Sequence, residues 1–223
     1  MSAYAVRRWS RILPLIPLLP LGLVGGELGK ETFRIASGET FSVEHPSTWR
    51  SEVQLTEGLP INTLRLTNRD ASSLLLISVM PGKAAGSLES MDDLEQMLLN
   101  GTRSLADSSK EKQVHPLSFK SQYAYGVYAT LTDARFAGTA ETPPRGSYRY
   151  SATFILNCAS QAVTATFLTN EEIVESTDLA VMILRTLHKE EPAAPRTSSA
   201  AVAPPAQGLL PVQPVQAREG SKP

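Results

Sequence analysis

Apolar residues recur at every second position in run after run between Phe33 and Phe167, and this period of two constrains the fold more than any other feature. Phe33 and Ile35, then Phe41 and Val43, alternate with polar residues on either side of a Ser37-Gly38 turn. Val53 with Leu55, and Leu64 with Leu66, continue the pattern. Strands of this kind bury one face and wet the other, so they predict a half-buried antiparallel sheet. SLLLISVM, Ser73 to Met80, is instead a near-continuous apolar run and fits a central strand covered on both faces. The alternation returns at Leu117 and Phe119, at Tyr123, Tyr125, Val127, Ala129 and Leu131, over Tyr148 to Leu156, and at Val163, Ala165 and Phe167. These predict four more strands, the last two joined as a hairpin by a short turn at Ala159-Ser160.

Only two segments change to helical spacing. SMDDLEQMLLNGTRSLAD places Ser90 as N-cap with Asp93 three residues on, a capping-box arrangement, and sets Asp92, Asp93 and Glu95 in the first turn where the helix dipole favours acid. Met91, Leu94, Leu98 and Leu105 form its apolar stripe. A closing helix, about Ser176 to His188, presents Ala180, Ile183, Leu184 and Leu187 on one face. Glu171, Glu172, Glu175 and Asp178 stand at its start and Arg185, His188 and Lys189 at its end. Runs of strands with too few helices for repeated βαβ units predict an α+β domain, with a central antiparallel sheet of about six to seven strands and two main helices.

The stretch FSVEHPSTWR, residues 41 to 50, ends a strand at Pro46, which lacks an N–H for the ladder, and brings Trp49 three residues later as an apolar plug for the core. FSVEHPSTW resembles the strand-Pro-x-x-Trp signature near the start of the PsbP-like family, which includes the Ran-binding Mog proteins, and the resemblance spans most of residues 31 to 189. It implies an α/β/α sandwich and a non-catalytic binding or assembly role, with no catalytic residues to carry over.

The ends of the chain differ in kind. Arg7, Arg8 and Arg11 precede an apolar stretch from Ile12 to Gly26 that closes on small residues, the pattern of an export signal cut ahead of Glu27. The stretch is shorter than a spanning helix needs and holds Pro14, Pro17 and Pro20. Residues 1–26 are therefore expected to be a signal peptide, leaving a periplasmic or secreted protein without a transmembrane span. The whole chain has 21 Lys and Arg against 22 Asp and Glu, and the leader takes three arginines and no acid with it. What remains is acidic, which excludes nucleic acid as a partner that needs a basic surface. Residues 190–223, rich in proline and alanine and without an aromatic residue, are expected to be a disordered tail after a PsbP-like domain at 27–189.

Motifs for chemistry are missing. His45, His115 and His188 have no partner at metal-ligand or triad spacing and read as surface or strand-end residues, and neither GxSxG nor a phosphate-binding loop occurs. Glu44 and His45 point to opposite faces of their strand. Asn100-Gly101-Thr102 spells a glycosylation acceptor but falls inside a predicted helix. The lone cysteine, Cys158, shares the face of Ala152, Phe154 and Leu156 and reads as buried. No catalytic, cofactor or metal residue is therefore assigned, and no cofactor is expected. The candidate for a partner is the long connection Asp133 to Ser147, DARFAGTAETPPRGS, with Arg135, Phe136 and Arg145 as hot-spot residue types. Pro143-Pro144 would stiffen it, and deleting 137–143 is expected to spare folding. The expected function is an exported non-catalytic protein that binds or assembles an envelope protein, the alternative being a soluble carrier of a small apolar ligand between sheet and helices. A hydrolase would need titratable residues clustered in a cleft.

Overall fold

A computed structural model describes residues 27–55, 61–80, 88 and 90–191. The expected signal at 1–26, and the expected tail at 190–223 apart from Glu190 and Glu191, lie outside the described residues.

Strand β1 (Leu28–Arg34) pairs antiparallel with β2 (Thr40–Pro46) across the Ser37-Gly38 turn, where Gly38 takes φ 92°, a conformation open to glycine. Then come β3 (Arg50–Leu55), β4 (Asn62–Thr67) and β5 (Ser73–Val79), helix α1 (Met91–Ser108), and strands β6 (Leu117–Lys120), β7 (Ala124–Thr132), β8 (Tyr150–Cys158) and β9 (Gln161–Thr169). Helix α2 (Ile173–Thr186) and the short β10 (His188–Lys189) close the order. Seven strands form one antiparallel sheet, β3-β4-β5-β9-β8-β7-β6, and three form a second, β1-β2-β10. The described residues are thus α+β, with a seven-stranded antiparallel sheet and two helices, where six to seven strands and two helices were expected.

Alternation along β8 defines the layers. Phe154 and Leu156 pack in one cluster with Ala180 and Leu184 of α2 and with Phe33 and Phe41 of the small sheet. Ile155, between them, faces the other way and packs with Leu94 and Leu98 of α1 and Val127 and Ala129 of β7. One face of the main sheet therefore carries α1, and the other carries α2 and the small sheet. Between β7 and β8 there is no room for a Cβ at Gly126, which would collide with the Ile155 carbonyl.

Helix α1 starts as its residues dictate. The Asp93 N–H donates to Ser90 Oγ at 3.1 Å while the Asp93 carboxylate accepts from the Ser90 N–H at 3.3 Å, completing the capping box. Its buried stripe is Leu94, Leu98, Thr102 and Ala106. Leu105, expected on that stripe, is 47% exposed.

Other expectations need correction. Strands β1 and β2 do not join the main sheet, because their apolar face closes over it. Val53 and Leu55 are exposed, since β3 is an edge strand. On β5 the face of Ser73, Leu75, Ile77 and Val79 is buried throughout, while on the other face Leu74 is buried and Leu76 and Ser78 are half-buried. Strand β8 begins at Tyr150, two residues later than expected. Helix α2 starts three residues early, at Ile173, and ends at Thr186; Leu187 is still fully buried, but the chain there has turned extended. His188 and Lys189 are strand, pairing with Ser42 and Phe41, and the Glu190 N–H donates to Thr40 O at 2.8 Å. Glu171 lies outside the helix and accepts from Ser72 Oγ and Asn68 Nδ2. No helix among the described residues is long and apolar enough to cross a membrane.

Candidate interaction site on the β7 to β8 connection

The connection between β7 and β8 is tied down along its length. The Asp133 N–H donates to Arg149 O at 2.9 Å, closing its two ends, and the Ala134 N–H donates to Ser108 O at the end of α1. Inside it, the N–H groups of Phe136 and Ser147 bond to Asp133 O and Pro144 O, while Gly138 and Gly146 take positive φ. Asn170, just after β9, accepts the Arg149 N–H at 2.8 Å and donates to Ser147 O at 3.2 Å. These bonds satisfy backbone groups that a free insertion would leave to water.

Arg135 stands exposed on this support. Its guanidinium grips both oxygens of Asp133, with Nη2 2.6 Å from Oδ2 and Nε 3.1 Å from Oδ1. Its Cζ lies 5.3 Å from the centre of the half-buried Phe136 ring. The bond from Arg135 holds the Asp133 carboxyl below its ordinary value and raises the guanidinium in turn. Arg145 is also exposed, but no ion pair or ring contact joins it to the other two among the described residues. The structure thus unites Arg135 and Phe136 and leaves Arg145 apart.

Pro143 is buried, and the Glu141 carbonyl accepts from Arg149 Nη2 at 2.6 Å, so deleting 137–143 would remove packing rather than a dispensable flap. Under the connection lies a cleft of about 260 Å³, walled by Arg135, Arg149 and Ser151, with Leu105 of α1 and Leu131 and Leu168 of the sheet. Sequence reasoning missed Arg149 and Asn170. Asparagine at the end of a strand was the available signal, since its amide can both accept and donate.

The histidines have structural surroundings. His45, expected at the surface or at a strand end, stands at the end of β2 and is buried, with Nδ1 2.9 Å from Pro46 O. His188 lies on β10 with Nδ1 2.8 Å from the Thr186 carbonyl, which can only accept. Nε2 lies 3.0 Å from Ser42 Oγ and 3.5 Å from the Glu190 carboxylate. Tyr123 stacks on the ring, with centroids 4.8 Å apart. Ser42 is fully buried, so no electrophile reaches it, and the pair acts as a clasp of β10 on β2. Burial pushes the Cys158 thiol up to about 11, which keeps it protonated and unreactive at neutral pH. Among the described residues, no group of three or more His, Cys, Asp or Glu side chains is placed to hold a metal ion.

No protein-family model matches the chain, and no curated protein matches it significantly.

Proposed function

We propose that this chain is an exported, non-catalytic binding or assembly protein with a PsbP-like domain, and that it meets an envelope protein through the β7 to β8 connection. The observation that carries the reading is Arg135 laid over Phe136 on a backbone anchored at both ends. An exposed cation and ring held in one geometry lose little conformational entropy on docking, which is what makes such residues effective anchors. The PsbP-like part rests on the strand-Pro-x-x-Trp stretch, with Trp49 in the core. Periplasmic or secreted location rests on the leader pattern alone.

The test is co-purification from the native envelope with wild-type protein and with Arg135→Ala/Phe136→Ala/Arg145→Ala. These side chains are exposed or half-buried, and the Arg135 to Asp133 pair lies at the surface, so its loss is expected to leave folding nearly unchanged. Wild type is expected to retain a protein that the variant loses. Identical recoveries would refute the connection as the docking site. A second reading, a carrier of a small ligand, is favoured by the cleft beneath the connection, whose floor is leucine; native mass spectrometry of protein from its own source would reveal cargo.

A further inference from the structure

We propose that this chain forms a homodimer, strand β3 pairing antiparallel with β3 of a second copy about a two-fold axis at Val53, so that the two seven-stranded sheets become one. The surface belongs to a different element from the β7 to β8 connection and does not depend on a partner there.

Which backbone groups β3 offers follows from the phase of the ladder. The Asn68 N–H donates to Ser73 O, so on β5 it is Ser73, Leu75 and Ile77 that bond toward β4. The Met80 N–H, which donates to Ala162 O across β9, gives the same phase. On β4 Leu64 and Leu66 answer β5, which turns the groups of Thr63, Arg65 and Thr67 toward Gln54, Glu52 and Arg50 of β3. The N–H and C=O groups of Ser51, Val53 and Leu55 therefore point away from the sheet, and among the described residues no bond reaches them. The Ser51 hydroxyl is spent on Glu31 of β1 at 2.6 Å, so Ser51 offers only its backbone. Proteins blunt such edges with short strands, proline, bulges or lysine. Strand β6, the other edge, has four residues and an exposed Lys120. Strand β3 has six, holds unbroken register with β4, contains no proline, and bares Val53 at 40% and Leu55 at 76%. One open edge and one blunted edge make a pairing that stops at two copies.

The residues of β3 select a second copy as the strand that pairs there, because they complement themselves in one register. An axis at Glu52 would set Glu52 against the partner's Glu52 in a pair without ladder bonds, where side chains stand closest and like charges repel. An axis at Ser51 would set Val53 against the partner's Trp49, whose N–H is already given to Pro46 O. An axis at Gln54 or Leu55 leaves Ser51 with nothing opposite it in the strand. Only the axis at Val53 engages the outward groups of Ser51, Val53 and Leu55 on both strands. It places Val53 opposite the partner's Val53, Leu55 opposite the partner's Ser51, and Glu52 opposite the partner's Gln54, an amide that can donate to the carboxylate. Val53 is also register-paired with Leu64, a member of the buried cluster, so the apolar row of one sheet runs on across the axis into the other.

The test is sedimentation velocity of the full chain over a concentration series, with circular dichroism to check the fold of each variant. Wild type is expected to sediment as a dimer that dissociates on dilution. Val53→Pro removes an N–H that β4 does not use, so the β3 to β4 ladder stands while the bonds across the axis are lost, and association should weaken about tenfold or more. Should Val53→Pro fail to fold, Val53→Lys, at an exposed position, sets like charges against each other across the axis and should have the same effect. Single cysteines read the register. Under mild oxidation Val53→Cys is expected to give a covalent dimer, whereas Ser51→Cys and Leu55→Cys, each facing the other position and not itself, should not. Wild type, whose Cys158 is buried, is the uncrosslinked control. Wild type that stays monomeric at the highest concentration, a dimer that Val53→Lys leaves as tight, or cross-linking through Ser51→Cys or Leu55→Cys in preference to Val53→Cys would each overturn the proposal.

Discussion

Pro46 and Trp49 act together at the scale of single residues. Pro46 is the last residue of β2, where the missing N–H leaves no ladder bond unmade, and its carbonyl accepts the Trp49 N–H at 2.9 Å, turning the chain back. The indole enters the cluster that includes Phe33, Phe41 and Leu64 and keeps 8% of its surface exposed. Trp49→Ala should therefore cost about 3–5 kcal/mol, read from urea unfolding with the slope unchanged. A midpoint equal to that of wild type would remove the indole from the core. The pair was legible in the sequence because both causes are local, a residue without a donor and a large apolar ring nearby. The burial of His45 was not, for although it shares the period-two face of Phe41 and Val43, an ionisable ring at a strand end does not declare itself a core residue.

At the scale of elements, the β8 to β9 hairpin turns on Ala159 at φ 50° and Ser160 at φ 63°. Left-handed conformation at both central residues matches the twist of the flanking strands, but side chains other than Gly, Asn or Asp pay for it there. Asn157 supports the turn, accepting the Ser160 N–H at 3.2 Å while its amide donates to Leu88 O at 3.1 Å. Ala159→Asn/Ser160→Gly should stabilise the protein by about 1 kcal/mol, a higher urea midpoint at constant slope. A lower midpoint would show that the present pair is needed. The hairpin itself was readable from two alternating runs and a two-residue gap. Strand β10 was not, since two residues carry no period and its partner, Ser42, lies 146 positions away. The end of α2 was misread for a related reason: Leu187 is buried and in phase with the helix, so apolar periodicity cannot mark where the backbone leaves it. The cleft was hidden altogether, for Arg149, Leu105 and Leu168 come together only when the sheet is assembled.

At the scale of the whole molecule, alternation says which side chains face a core but not which sheet they belong to, and so the split into two sheets escaped it. Bonds between distant segments then set how stability responds to pH. Glu39, in the β1 to β2 turn, accepts from Lys189 of β10 and from Gln161 of β9, and the Lys189 bond holds its carboxyl below the ordinary value. Glu111 is buried enough for desolvation to raise it, yet two bonds from Thr132 of β7 leave it lowered. Lys30 lowers Glu190. A group whose folded pKa is depressed stabilises the fold above its ordinary value and ceases to as the pH falls through and below it. Stability should therefore be level through neutral pH and decline below the carboxylate range near 4.5. Cys158 works in the opposite direction. Its folded pKa is about 11 against an ordinary value of 9.0, so the unfolded thiol ionises first and draws the equilibrium toward unfolding as the pH rises from 9 to 11. Tyrosines and lysines titrate in the same range, and the comparison with Cys158→Ala isolates the thiol. The stability difference between wild type and this variant, from urea unfolding at each pH, should be constant across the acid limb and neutral pH. Above pH 9 it should move steadily against wild type. A difference that stays flat to pH 11 would mean that the thiolate is tolerated in the fold, and with it that water reaches the face of β8 packed beneath α2.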